Sequence, residues 1–253
     1  MVVFEDLALI YDQAIDWTQR LSNELPFFSS LLKNHKTARI LDLACGSGRH
    51  AIALALEGFD VIGLDLSSTM IAAAEKYAQI NQVAVEFITA DMQKATDVVE
   101  GSFDLILCIG NSLALLPTLQ AVQSTLEGAY SLLGEKGIFV AQILNFDEIQ
   151  HTGFRFFPLK SGKTAKGNEV IFARFFEPIT DSMNVQLVFT GFIKTETSWR
   201  AKTVSQSILQ INKSKLESIL QKTGFTRISF FSDYQKNPFL PLENRNLLSV
   251  ASK

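Results

Sequence analysis

The stretch LDLACGSGRH, residues 41–50, places Asp42 at the end of an apolar run and sets two glycines, Gly46 and Gly48, directly after it. Two further acids stand in the same situation: Asp65 ends the run FDVIGLDLS (59–67), and Asp91 ends AVEFITAD. A carboxylate at a strand tip accepts hydrogen bonds and attracts cations, while glycines let the backbone turn tightly and approach a ligand. A helix opening near Gly48 adds free N–H groups and a positive dipole end at the same spot. This chemistry holds a small polar ligand against bare backbone. Other reactive groups are sparse: the histidines are His35, His50 and His151, and the cysteines are Cys45 and Cys108. The cysteines lie far apart, in or beside apolar runs, and read as small buried thiols with no metal-type spacing. His50 reads as a helix-surface or packing residue of the helix after the glycines, and His151 stands where the chain changes character.

The elements that must position the three acids alternate in type. TARILDLAC (37–45) and FDVIGLDLS are strands, and GRHAIALALEG between them has helical periodicity and stops at Gly58. That β-α-β unit implies parallel strands with a right-handed crossover. Ser67 or Ser68 can cap the next helix, STMIAAAEKYAQI; SFDLILCIGN is a strand, TLQAVQSTLEGAYSLL a helix ended by Gly134, and GIFVAQILN a fifth strand. The expected class is α/β, a doubly wound Rossmann-like sheet of seven strands that finishes with a C-terminal antiparallel hairpin. Residues 12–34 read as one or two helices interrupted near Pro26. After about residue 150, GFRFFPLKSGK, NEVIFARFFEP and MNVQLVFTGFIKT are strands with turn residues between them, an antiparallel β insertion over the sheet. The helix KSKLESILQKTG, then FTRISFFSDY and RNLLSVASK, complete the sheet. The expected organisation is a single domain over 1–253, with an N-terminal helical segment (1–36), a ligand-binding core (37–150), the β insertion as a lid (151–212) and a C-terminal helix and hairpin (213–253).

The bulk properties exclude some partners. The 253 residues carry a formal net charge of −3, which gives no general pull toward nucleic acid. The opening MVVFEDLALIYD carries acids where a signal peptide carries bases, and no apolar run approaches the roughly 20 residues of a membrane span. A cytoplasmic location without membrane contact is expected.

Ligands in open α/β sheets lie outside the carboxyl ends of the strands, and two ligand classes suit this layout. GSGRHA satisfies the weak dinucleotide pattern G-x-G-x-x-G/A. Asp42 argues for the other class: it would repel a pyrophosphate but suits the ammonium group of S-adenosylmethionine. Asp65 is spaced to accept from ribose hydroxyls, and Asp91 to accept from an adenine amino group.

LDLACGSG, VIGLDLSSTMI, ITADM and FDLILCIGNSLALLP together resemble the successive motifs of class I S-adenosylmethionine-dependent methyltransferases over residues 39–143. Within that superfamily the chain looks most like glycine N-methyltransferase and its small-molecule relatives. The resemblance implies that Asp42, Ala44, Gly46 and Gly48 cradle the methionine part and that Arg20 reaches its carboxylate. It places Asp65 on the ribose, Leu66 and Met70 against the adenine, and Asp91 and Met92 at the adenine edge and face. Cys108, Ile109 and Gly110 would line the sulfonium with backbone groups. Asn111 matches a substrate-positioning residue, although an Asx-turn role also fits it. Tyr11, in YDQAIDW, resembles an aromatic residue folded over the site from the N-terminal segment. The implied reaction is in-line methyl transfer to a small-molecule nucleophile, an amine by expectation, with S-adenosylhomocysteine as product and no metal.

One departure bears on the substrate. Where glycine N-methyltransferase presents an arginine after its fifth strand, alignment of QILNFD puts Leu144. Glycine is therefore disfavoured unless Arg155, Arg174 or Arg200 reaches in from the insertion. Residues 151–202 hold eight Lys or Arg against four acids, which suits either a solvated surface or a lid that selects an anion. Arg174, in FARFF, lies on the strand face opposite Ala173 and Phe175, toward solvent or pocket. The oligomeric state stays open, with a homodimer through the insertion as one arrangement. Two other functions remain: a cofactor-binding protein without catalysis, and an NAD(P)-dependent oxidoreductase.

Overall fold

Strict alternation along β1 (Arg39–Leu43) sets the frame: Leu41 and Leu43 enter one hydrophobic cluster and Ile40 another, so the strand is covered on both faces. The molecule is a computed structural model that describes residues 2–32, 37–164, 167–178 and 182–253. His35 lies outside the described residues. The chain begins with α1 (Val2–Gln13) and α2 (Trp17–Leu31). After β1 it continues through α3 (Arg49–Leu56), β2 (Asp60–Asp65), α4 (Ser68–Ile80), β3 (Glu86–Thr89), α5 (Ala95–Val98) and β4 (Phe103–Cys108). Then follow α6 (Leu119–Leu132), β5 (Leu133–Leu144) and α7 (Phe146–Thr152). The insertion strands are β6 (Lys160–Lys163), β7 (Glu169–Phe176), β8 (Asn184–Lys194) and β9 (Trp199–Leu209), before α8 (Lys213–Thr223), β10 (Arg227–Phe231) and β11 (Asn246–Ser252).

The core sheet has seven strands in the order β10-β11-β5-β4-β1-β2-β3. Its first five members in sequence run parallel, and β11 inserts antiparallel between β5 and β10. One face packs on α6 and α8 through Val122, Leu126, Leu216 and Leu220; the other packs on α2 and α3 through Phe27, Phe28, Ala51 and Leu54. Side-chain caps start the helices where the polar residues stand: the Ser67 hydroxyl accepts from Met70 N at 3.2 Å, and Thr118 from Ala121 N at 3.1 Å.

Three local expectations need correction. The N-terminal helices break at Ala14–Asp16, not near Pro26, because Asp16 caps α2 by accepting from Gln19 N at 3.0 Å. Pro26 sits exposed inside α2, where the lost N–H costs one backbone bond and does not end the helix. Gly134 does not stop α6, since β5 already starts at Leu133. Within GFRFFPLKSGK only β6 is a strand, with one bridge from Phe156 to Phe175 before it.

Three elements were not expected at all, α5, α7 and β9. With β9 the insertion becomes a four-stranded sheet, order β6-β7-β8-β9. It also has a small core of its own, shared with α1: Leu7, Val170, Phe172 and Phe189, with Tyr11 packed edge-on against Phe172 and Phe189. The helix lies flush on this sheet at Gly162 and Gly191, where an added Cβ would come within 2.8 Å of Ala14 and 2.7 Å of Leu7.

Candidate active site

A cavity of about 540 Å³ opens between the carboxyl ends of β1 and β4 and the insertion sheet. Its floor is Asp42, Ala44, Cys45, Gly46 and Ser47 after β1, and Ile109, Gly110, Asn111 and Ser112 after β4. Trp17 and Arg20 of α2 and His50 of α3 form one wall. The roof is Tyr11 and Asp12 of α1 with Phe157, Arg174, Leu187, Phe189, Gln206 and Ile208 of the insertion.

The floor is shaped by backbone. Ala44, Gly46, Gly48, Gly110 and Asn111 all adopt positive φ, so the loops after both strands curl back and leave the strand ends open. At Gly46 and Gly110 an added Cβ would meet nothing within 4 Å; it would instead project into the space a ligand would take. Asp42 is 1% exposed, and its Oδ2 is buried without a hydrogen-bond partner among the described residues. Burial and the neighbouring charge of Asp65 push its carboxyl up to about 7, against the opposing pull of Arg20. A buried carboxylate with an unanswered oxygen, beside bare backbone, suits a cationic ligand group. Asp65 braces the loop: its oxygens accept from Gly46 N and Ser67 N, each at 2.8 Å.

The wall is a chain of charges. Arg20 Nε donates to Glu24 Oε1 at 2.9 Å, and Glu24 Oε2 lies 2.5 Å from His50 Nε2. Burial lowers His50 against the opposing pull of Glu24, so a neutral imidazole donates to the carboxylate. Burial alone would raise Glu24, but His50 and Arg20 outweigh it and hold the group low. Asp12 pins α1 to the glycine loop: Ser47 Oγ donates to its Oδ1 at 2.7 Å, and Trp17 Nε1 donates to its backbone oxygen at 2.9 Å. Asn111 is held by its backbone N–H to Gln142 O and by its side-chain Oδ1, which accepts from Leu144 N, both at 2.9 Å. Its orientation is fixed by that donor, leaving the Nδ2 donors without a side-chain or backbone acceptor among the described residues.

Arg174 faces the cavity. Its guanidinium sits 4.7 Å from the ring centres of both Tyr11 and Phe157, with no carboxylate partner among the described residues. Burial lowers it and raises the Tyr11 hydroxyl. Arg155 does not reach in: its Nε donates to Phe176 O at 3.2 Å. Arg200 is exposed on β9. Leu144 does line the cavity, and brings no charge.

Of the residues singled out from sequence, the fold brings Tyr11, Arg20, Asp42, Ala44, Gly46, Met70, Ile109, Gly110, Asn111 and Arg174 to one cavity. Gly48, Asp65, Leu66, Asp91, Met92 and Cys108 do not line it. Gly48 is packed where an added Cβ would strike Phe87 at 2.7 Å, and Cys108 is fully buried in β4. Asp65 and Leu66 stand at the end of β2 and Asp91 and Met92 after β3, beyond the walled space; Leu66 is 70% exposed. The Asp91 carboxylate caps its own turn, accepting from Gln93 N at 2.9 Å. Sequence reasoning missed Asp12, Ser47 and Gln142 and demoted His50, which is both a packing residue and a lining one. Only Asp12 carried a signal, its place beside Tyr11. His151 is exposed at the end of α7. Among the described residues no helix is long and apolar enough to cross a membrane.

Comparison with known proteins agrees with this geometry. A family model described as a methyltransferase domain matches residues 40–137. A glycine/sarcosine N-methyltransferase of Aphanothece halophytica is 34% identical over 231 residues, covering 89% of this chain and 80% of that one. A solved S-adenosylmethionine-dependent methyltransferase from Clostridium acetobutylicum superposes with a TM-score of 0.79 at 17% identity, over 98% of both chains. A structure of an amino pentose methyltransferase from Micromonospora echinaspora with bound S-adenosylmethionine gives 0.70 at 17% identity, over 94% of this chain and 92% of that one. At such identity the two structures speak for the fold alone.

Proposed function

The chain belongs to the class I S-adenosylmethionine-dependent methyltransferases, and from that premise we propose that it methylates a compact amine bearing a carboxylate. The observation that carries the acceptor half is Arg174, a cation in the cavity roof with no acidic partner among the described residues. Leucine at 144 cannot hold a carboxylate, but Arg174 supplies the guanidinium from a different strand. Relatives that are glycine/sarcosine N-methyltransferases support an amino-acid-like acceptor.

The cavity fits the cofactor. Asp42, with its unanswered buried oxygen, would take the ammonium group, and Arg20, steadied by Glu24, the carboxylate. Gly46 and Gly110 offer bare backbone in between. Asp65, Leu66 and Met70, with Asp91 and Met92, would hold the nucleoside at the open strand ends. Bound there, S-adenosylmethionine supplies an electrophilic methyl group on a sulfonium. The protein's part is to position: Arg174 grips the acceptor carboxylate, the free Nδ2 of Asn111 donates to the acceptor, and Tyr11 closes over it. Orientation of this kind is worth on the order of several kcal/mol. The amine must arrive neutral, and a dehydrated roof carrying a cation disfavours its ammonium form.

Two measurements test this. Calorimetric titration with S-adenosylhomocysteine should show binding, and its absence would remove the cofactor half. Mass spectrometry of glycine and sarcosine incubated with the enzyme and cofactor should show added methyl groups. No product from any carboxylate-bearing amine would sink the acceptor half.

A further inference from the structure

Arg174 is not the only unanswered cation beside Tyr11. Lys160, on the neighbouring strand β6 and outside the cavity lining that holds Arg174, places its Nζ 5.4 Å from the centre of the same ring, while the Arg174 guanidinium lies 4.7 Å from it. Neither side chain meets a carboxylate among the described residues. The acids of this region are engaged elsewhere: Asp12 with Ser47 and Arg49, and Glu24 with Arg20 and His50. Asp42 feels Arg20 and Asp65 and lies in the floor.

Two positive charges gathered on one aromatic ring repel each other. Burial, then the charges of Arg174 and Arg20, lowers the Lys160 ammonium. Ring faces offset only part of the cost of a poorly hydrated cation. A single carboxylate would answer Arg174 in a bidentate fork and leave Lys160 facing nothing. A second anionic group on the same ligand removes both the repulsion and the unmet charge. We propose that Lys160 and Arg174 together select an acceptor amine that carries two carboxylates, with Lys160 the residue that distinguishes it from an amine carrying one. This rests on the reading of Arg174 as the acceptor's carboxylate anchor, and extends it to a dianionic substrate class.

Sarcosine and iminodiacetate are a matched pair of probes, both secondary amines that differ by one carboxylate. Each is titrated by calorimetry into the full-length protein saturated with S-adenosylhomocysteine. Iminodiacetate is expected to bind at least tenfold more tightly. Lys160→Met should bring the two affinities to within about twofold of each other while leaving sarcosine binding unchanged, and Lys160→Gln should do the same with a polar side chain. Arg174→Met should weaken both ligands. Equal wild-type affinities, or a Lys160 variant that weakens both ligands alike, would overturn the dianion proposal and leave the single-carboxylate reading intact. If neither ligand binds a protein that holds S-adenosylhomocysteine, both readings of the acceptor site fall. A tenfold preference without methylated iminodiacetate by mass spectrometry would keep the two-cation site and refute transfer to that amine.

Discussion

The floor and the roof of the cavity are built on opposite principles. The floor comes from two adjacent strand ends and is one acidic side chain over curled backbone: Asp42, Gly46, Gly110. The roof joins a helix near the N-terminus to a sheet more than half the chain away, and is aromatic and cationic: Tyr11, Phe157, Arg174 and, beside them, Lys160. The floor suits a ligand with a fixed set of groups, since its donors and acceptors are backbone and one buried carboxylate. The roof is a set of side chains on an added sheet, so its specificity can change without disturbing the fold. On the proposed function, the difference separates cofactor recognition from acceptor choice.

The most severe way to break the floor alone is Asp42→Ala. It should weaken S-adenosylhomocysteine binding about a hundredfold, the size expected for a lost charged hydrogen bond of roughly 2.7 kcal/mol. Isothermal titration reads this, and an unchanged affinity would remove Asp42 from the site. The reciprocal break is Arg174→Met, which should cut kcat/KM for the carboxylate-bearing acceptor about thirtyfold while cofactor affinity moves less than about threefold. If both fall together, floor and roof are not separable.

A pH titration sharpens the contrast further. Asp42 ionises near pH 7 in the folded chain against an ordinary value of 3.8, so it is largely neutral at pH 5.5. An ammonium-bearing ligand needs it ionised, so S-adenosylhomocysteine affinity should fall as pH drops below about 7, by at most about tenfold per unit. Because the folded pKa is raised, the folded state keeps a proton that the unfolded state loses from about pH 4 upward. The stability this group contributes therefore declines between about pH 4 and 7 and levels off above. Asp42→Asn should abolish the pH dependence of binding and raise the melting temperature at pH 8 by a few degrees. The smallest effect is expected from Glu24→Gln, which loosens Arg20 and should weaken cofactor binding about fivefold with acceptor KM unchanged.

The floor was also the legible half. Strand-tip acids and glycines are local signals, and the β-α alternation between residues 37 and 144 left little freedom in strand order. The roof could be read only as an antiparallel, phenylalanine-rich insertion. WRAKTVSQSIL gave no clean alternation, so β9 went unseen, and the short α7 had too few residues for a periodic signal. Pro26 misled because proline was read as a stop, when Asp16 already offered the cap that places the break. Asp91 shows a local bond that the strand-tip position did not reveal: its carboxylate accepts from Gln93 N.

From residues alone came a cofactor floor, its acids and its glycines, because parallel β-α-β geometry forces strand ends, loop and helix start to converge within one short segment. Tertiary structure alone decided that Arg174 faces inward, that it and Lys160 gather on the ring of Tyr11, and that Asp12 ties α1 to the glycine loop. Those contacts join segments with no local coupling, and which face of an inserted sheet is buried depends on what lies against it.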